Sequence, residues 1–293
     1  MTDFRFSRPG IIGTGRVAQA LAFALAPHAE APPLLWGRTP DNAIAAASAT
    51  GAARAPTIDR LMAESDFVAI AVSDDALAAV VADIADNLTA GLAPFIFHVS
   101  GAKGAAILEP LRAAGALTAA IHPAMTFAGD PQAEVQQMAG ACFAITGSTP
   151  EATEHAKRIV ALLSGVAIEV AEDRRALYHA ALCHASNHLL TLIAGAAHTL
   201  GDAGIDDSSA LLAPLVRAAL EISLDRGFAG LSGPLLRGDV QTIDGHLDTL
   251  KAHSPDLLPA YRAMARATLD ELERSGTAPS ARLTALDSLL AVP

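Results

Sequence analysis

Gly10-Ile11-Ile12-Gly13-Thr14-Gly15-Arg16-Val17-Ala18, near the start of the chain, decides how the remainder is read. The apolar run Pro9–Gly13 has the character of a buried strand, and Val17–Leu25 that of the helix that follows it. Gly13, Gly15 and Ala18 fall in the spacing G-x-G-x-x-A. In that pattern the first glycine permits the tight strand-to-helix turn. The second carries no side chain to keep a pyrophosphate away, and the small third residue lets the helix pack on the strand. The free N–H groups and positive dipole at the helix start then attract the phosphates. A strand before the motif and a helix after it are the context that gives this short pattern its weight. Gly13, Thr14, Gly15, Arg16, Val17 and Ala18 are therefore expected to contact a dinucleotide.

The next strand, Leu34–Gly37, refines the ligand. Its tip is Gly37-Arg38-Thr39, where an NAD site would place a carboxylate on the ribose 2′-hydroxyl. A guanidinium suits a 2′-phosphate through paired, charge-assisted hydrogen bonds, so Arg38 and Thr39 point to NADP(H). Arg16 is expected to add to the same pocket.

Outward from this motif, strand-like and helix-like segments alternate. Phe67–Val72, Phe95–Val99, Ala119–His122, Cys142–Thr146 and Val166–Val170 read as further strands. Asp41–Ser48, Asp75–Asp86, Ile107–Ala113 and Glu151–Leu163 read as helices between them. Continuously apolar strands separated by helices predict an α/β domain with a mostly parallel sheet covered on both faces. From Glu172 onward the β-branched runs stop. Helical stretches follow at Asp173–Leu200, Asp207–Asp225, Val240–Ala252, Pro255–Arg274 and Ala281–Ala291, punctuated at Gly201–Ile205, Gly227–Gly233 and Ser275–Pro279. The expected organisation is a dinucleotide-binding domain over residues 1–171 and an all-α domain over 172–293.

Composition excludes several alternatives. Hydrophobic residues make up 52% of the 293 and charged residues 17%, which does not describe a disordered chain. The formal net charge of −11 opposes nucleic acid as a partner, though a local site can still hold one anionic cofactor. Two distant cysteines, Cys142 and Cys183, give no disulfide framework and fit a reducing, cytoplasmic setting. The first residues carry no apolar segment of the signal-peptide kind and read as a mature start. No uninterrupted apolar run reaches the roughly 18 residues of a membrane span.

Ligands of open α/β sheets lie beyond the carboxyl ends of the strands. Val72 and Ser73 are expected to border the nicotinamide ribose, while Asp74 and Asp75 read as caps of the next helix. His98-Val99-Ser100 and His122-Pro123 end the next two strands, placing Ser100 and His122 toward the cofactor. His122 titrates near neutrality and can serve as a proton donor. Lys103 is a weaker candidate. In the helical half, Arg175, His179, Cys183 and Asn187 recur at intervals of four and share one side of a helix, as residues facing a polar cleft would. His184 and His188 share that spacing, but no third ligand suggests itself and no metal site is expected. Arg237, in Gly233-Pro234-Leu235-Leu236-Arg237-Gly238-Asp239, is a candidate for binding a substrate anion; Asp239 reads as a helix cap and His246 as a lesser candidate.

Taken together, the G-x-G-x-x-A start, HVSGA (98–102), HPAMTF (122–127), RALYHAALCHASNHL (175–189) and GPLLRGD (233–239) resemble the Rossmann-like/DUF2520 proteins over nearly the whole chain. That family is similar to ketopantoate reductase, pyrroline-5-carboxylate reductase and 6-phosphogluconate dehydrogenase-type enzymes. The resemblance implies an NADP-linked oxidoreductase with a helical second domain that builds a homodimer. It departs in one respect: where such hydroxyacid dehydrogenases carry a lysine, Asp173–Leu200 has none. The proton donor expected here is His179 or His122, with Asn187 orienting the substrate and Arg237 holding its anionic group. The reaction expected is hydride transfer to the carbonyl of a small ketopantoate-like 2-oxo acid. The alternatives are an imine or cyclic imine substrate, as in pyrroline-5-carboxylate reductase, and a dinucleotide sensor without turnover.

Overall fold

The computed structural model describes residues 6–88, 94–276 and 281–291. Eight strands form one sheet in the order β3-β2-β1-β4-β5-β6-β7-β8. They are β1 (Pro9–Ile12), β2 (Leu34–Trp36), β3 (Ala53–Arg54), β4 (Phe67–Ile70), β5 (Phe95–His98), β6 (Leu117–Pro123), β7 (Cys142–Gly147) and β8 (Val166–Glu169). All neighbours are parallel except β6 and β7. The parallel sheet expected from the alternation is thus present, with one reversal.

Each central strand is apolar on both sides because helices cover both faces. Ile11, Leu35, Ala69, Phe97 and Ile121 join one buried cluster; Ile12, Leu34, Val68, Ile70 and Ile96 join the other. Alternate residues of a strand leave for opposite faces. The helices of this half are α1 (Arg16–Leu25), α2 (Pro40–Thr50), α3 (Ile58–Glu64), α4 (Asp74–Asn87), α5 (Glu109–Ala113), α6 (Pro131–Met138) and α7 (Pro150–Leu162).

Four elements go beyond the sequence reading. β3 has two residues and α3 seven, too short to show a period; α6 has a polar sequence with little apolar signal. Pro234–Arg237, left outside the expected helical stretches, forms the single-turn helix α10. The remaining helices are α8 (Arg175–Asp202), α9 (Ser208–Arg226), α11 (Val240–His253), α12 (Leu258–Arg274) and α13 (Ala281–Ala291). The break expected at Ser275–Pro279 lies partly outside the described residues.

The chain divides into two compact units, one ending at His184 and the other running from Ala185. The division falls inside α8, a little past the 171/172 boundary expected from composition. The first turns of α8 belong to the sheet-bearing unit because Arg175 is buried in it. The second unit has its own small core, in which Ile243, Leu247, Ala265, Leu286 and Leu290 meet from α11, α12 and α13.

Candidate functional site

The turn after β1 has the geometry its sequence demands. Gly13 sits at φ +134°, and a Cβ there would overlap the Ala71 carbonyl oxygen. Its N–H donates to the Trp36 carbonyl at 2.8 Å, joining β1 to β2. Ala18 is wholly buried beneath the turn. Gly15 differs. Its backbone is extended (φ −73°, ψ 179°), which any residue adopts, and a Cβ there meets nothing within 4 Å. The packing of the chain gives no reason for glycine at this position.

The helix starts beside it are open as well. Gly15, Thr39 and Ser73 are the N-caps of α1, α2 and α4, and none supplies a side-chain cap. On the same unit, Thr57, Asp130 and Thr149 do cap α3, α6 and α7. Unspent N–H groups thus lie beyond β1, β2 and β4, at the carboxyl ends of strands beside the switch in strand order, where open α/β sheets hold their ligands. Asp74 and Asp75 fall in the first turn of α4, with Ser73 in the capping position. Arg38 is exposed at the tip of β2 and has neither a hydrogen bond nor an ion pair among the described residues. Arg16 is also exposed, but its guanidinium donates to the Phe127 carbonyl at 3.0 Å, tying the loop after β6 to the turn.

A second set of polar groups collects at the ends of β5 and β6. His98 is fully buried. Its Nε2–H donates to the Gly104 carbonyl at 2.8 Å and its bare Nδ1 accepts the Ser100 N–H at 3.1 Å, which fixes a neutral tautomer. Burial, foremost, lowers its pKa from 6.5 to about 4. Ser100 is buried too, and its hydroxyl accepts the Lys103 N–H at 3.1 Å rather than facing outward; Lys103 itself is exposed. His122, half-buried, shares a 3.0 Å hydrogen bond between Nδ1 and the Tyr178 hydroxyl. Burial first, then the Arg175 charge, lowers His122 from 6.5 to about 4. Burial raises the Tyr178 phenol, against a lowering from Arg175. His179 stands edge-on to His122 with ring centres 5.8 Å apart. Gly101 admits both rings: a Cβ there would overlap His179 and approach His122 Nε2 to 2.9 Å.

Arg175 corrects the sequence reading. It does not face a cleft beside His179; it is 1% exposed. Nε donates to the Lys103 carbonyl at 3.0 Å, Nη1 to Ala144 at 3.1 Å and Nη2 to Ser100 at 2.6 Å. His179 and Cys183 are half-buried, with Cys183 Sγ 3.6 Å from His179 Nε2. Among the described residues no three His, Cys, Asp or Glu side chains are grouped to hold a metal ion.

Two family descriptions account for most of the chain. A Rossmann-like domain matches residues 2–123, and the domain of unknown function DUF2520 matches 141–268. The chain carries a Rossmann-like domain followed by a DUF2520 domain. Within the first compact unit, His98, Ser100 and His122 come from the Rossmann-like segment, while Arg175, Tyr178 and His179 come from the DUF2520 segment. The His122–Tyr178 bond joins the two.

Solved structures with this fold include a Bacteroides fragilis protein provisionally described as an NADP oxidoreductase. It is 21% identical, with 91% of this chain and 99% of that one covered, at a TM-score of 0.73. An Aspergillus terreus reductive aminase, solved with NADPH and ethyl-5-oxohexanoate, is 18% identical over 97% of this chain and 99% of its own, at 0.66. A Coxiella burnetii pyrroline-5-carboxylate reductase is 14% identical over 97% and 96%, at 0.58. No curated protein matches the sequence.

The other sequence candidates of the DUF2520 segment lie in the second unit. Asn187 is exposed on α8, its Oδ1 accepting from the Ser186 hydroxyl at 3.1 Å. Arg237 is exposed at the end of α10, where Gly238 adopts φ +65°. Asp239 caps α11, accepting from the Thr242 N–H at 3.2 Å, and the Thr242 bonds hold its carboxyl below the usual range. His246 Nδ1 is bonded to the Tyr261 hydroxyl at 2.8 Å. No described helix is long and apolar enough to cross a membrane. Sequence reasoning missed Tyr178, whose only signal is its place three residues after Arg175 and one before His179.

Proposed function

We propose that this protein is an NADP(H)-dependent reductase of small carboxylate-bearing substrates. The observation that carries the proposal is Gly15, a glycine that the fold does not need, at the uncapped start of α1. Gly13–Ala18 would hold the pyrophosphate, Arg38 and Thr39 the 2′-phosphate, and Val72 and Ser73 the ribose. The dinucleotide, when bound, supplies the hydride. The chain supplies position and protons. At neutral pH His122 is neutral and Tyr178 protonated, so the 3.0 Å bond between them is a path for one proton with no charged residue at either end. In the same proposal His179 is the neighbouring acid, Asn187 orients the substrate and Arg237 binds its anion.

Two substrate classes follow, a ketopantoate-like 2-oxo acid and a cyclic imine. A carbonyl needs a proton delivered as hydride arrives, whereas a protonated imine is already an acceptor. The neutral pair, in a site with no lysine on α8, favours the imine. The solved reductive aminase and pyrroline-5-carboxylate reductase folds agree with this reading. Homodimerisation through the helical half is part of the proposal, supported by the exposed leucines of α8 and α9. The test is turnover of NADPH, followed at about 340 nm, over panels of 2-oxo acids and cyclic imines. Oxidation with either panel supports a reductase and names the class. Tight NADPH binding with no turnover on both would identify a sensor instead.

A further inference from the structure

We infer that Arg175 is the positioning residue of this site: it ties three backbone segments together behind the His122–Tyr178 pair and places a fixed positive charge there. The inference rests on the reductase reading only in calling the pair a proton path. Its basis is geometric. One planar guanidinium uses three N–H groups in three directions, on the carbonyls of Ser100, Lys103 and Ala144. Ser100 and Lys103 belong to the turn after β5. Ala144 lies on antiparallel β7, directly opposite His122 in the register. Arg175 itself opens α8, three residues before Tyr178, whose ring lies 5.7 Å from the guanidinium carbon. The turn, the reversed strand and the helix that carries the phenol are thereby held as one piece.

A buried guanidinium is costly, and the usual compensation is a carboxylate. Arg175 forms no ion pair among the described residues; three carbonyl dipoles hold it, and the Glu172 carboxylate favours its charge only from beyond ion-pair contact. The charge is therefore not cancelled locally. The groups that face His122 are Tyr178, His179 and Arg175 from α8, His98 from β5 and Asp74 from the start of α4. Arg175 opposes protonation of His122 and favours ionisation of Tyr178, so it acts on both ends of the bond: it keeps the imidazole a neutral acceptor and eases release of the phenol proton to a third group. A structural arginine of the same shape would need neither effect.

The test uses the full chain and histidine ring NMR, with His122→Asn to assign the signal. In the wild type His122 should remain unprotonated down to about pH 5. Arg175→Met, which fills the space without the charge, should raise the proton affinity of His122 about tenfold or more. Arg175→Lys keeps the charge but not the three-way fork. It should leave the His122 titration near the wild type while the Lys103 amide exchanges with solvent at least about tenfold faster. A folded Arg175→Met protein with the wild-type His122 titration overturns the inference. If that variant does not fold, Arg175→Lys decides: unaltered exchange at Lys103, or a His122 titration shifted as far as removal of the charge would shift it, overturns it. NADPH titration of the wild type keeps the two proposals separate. Its failure would remove the reductase reading and leave the Arg175 result standing.

Discussion

Arg38, His98 and His122 each carry a consequence that a single side chain can report. Arg38 is exposed at the tip of β2 and spends its charge on no partner among the described residues. Its removal should cost the 2′-phosphate a charge-assisted bond, so Arg38→Ala should weaken NADPH roughly tenfold to a hundredfold while changing NADH little. Equal losses, measured by fluorescence titration, would mean that Arg38 does not read that phosphate. The two histidines set an acid limit on stability. Both are lowered from 6.5 to about 4 in the fold, so the unfolded chain binds protons that the folded chain refuses. Stability should fall as pH drops from about 6.5 toward about 4, by up to about 3 kcal/mol for each histidine, and level off below that. Urea unfolding near pH 5.5 should show uptake of about two protons from this source; no slope across the window would contradict the burial of these rings. The sequence marks His122 by its place at a strand end and Arg175 by its place in a polar stripe, yet it assigns Arg175 to a cleft and leaves Tyr178 looking like an ordinary helix residue. Which side of α8 faces the sheet is a tertiary fact, and a four-residue stripe is equally compatible with a cleft or with an anchor.

At the scale of elements, the β1-turn-α1 unit is the most legible part of the molecule, because Gly13 answers to local geometry and an apolar strand and helix flank the turn. The two glycines should nevertheless behave differently. Gly13→Ala forces a side chain into a φ of +134° and against the Ala71 carbonyl, and should destabilise the fold by at least about 2–3 kcal/mol in chemical denaturation. Gly15→Val enters open space on an extended backbone. It should cost less than about 1 kcal/mol of stability and still abolish dinucleotide binding. The long amphipathic or wholly apolar elements were readable from their periods. Ala53–Arg54, Ile58–Glu64 and Pro131–Met138 were not, because a strand of two residues or a helix of about two turns is fixed by what it packs on rather than by its own pattern.

At the scale of the whole molecule, the second unit carries more apolar surface than its own core uses. α9 buries only Leu212 of its nineteen residues, while Leu215 is 62% and Leu224 75% exposed; Leu190 on α8 is 67% exposed. Surfaces of this kind mark association sites. Light scattering should give the mass of a dimer for the wild type. The Leu215→Glu, Leu224→Glu double variant, one change on each exposed face of α9, should give that of a monomer; a monomeric wild type would contradict the proposal. The central claim, however, is the dinucleotide, and the most direct measurement is calorimetric titration of NADPH and NADH into the wild type and Gly15→Val proteins at matched folded stability. Saturable binding of one NADPH per chain, much weaker binding of NADH, and loss of both in Gly15→Val is the result predicted. NADPH binding that survives Gly15→Val unchanged, or no saturable binding to the wild type, would contradict it.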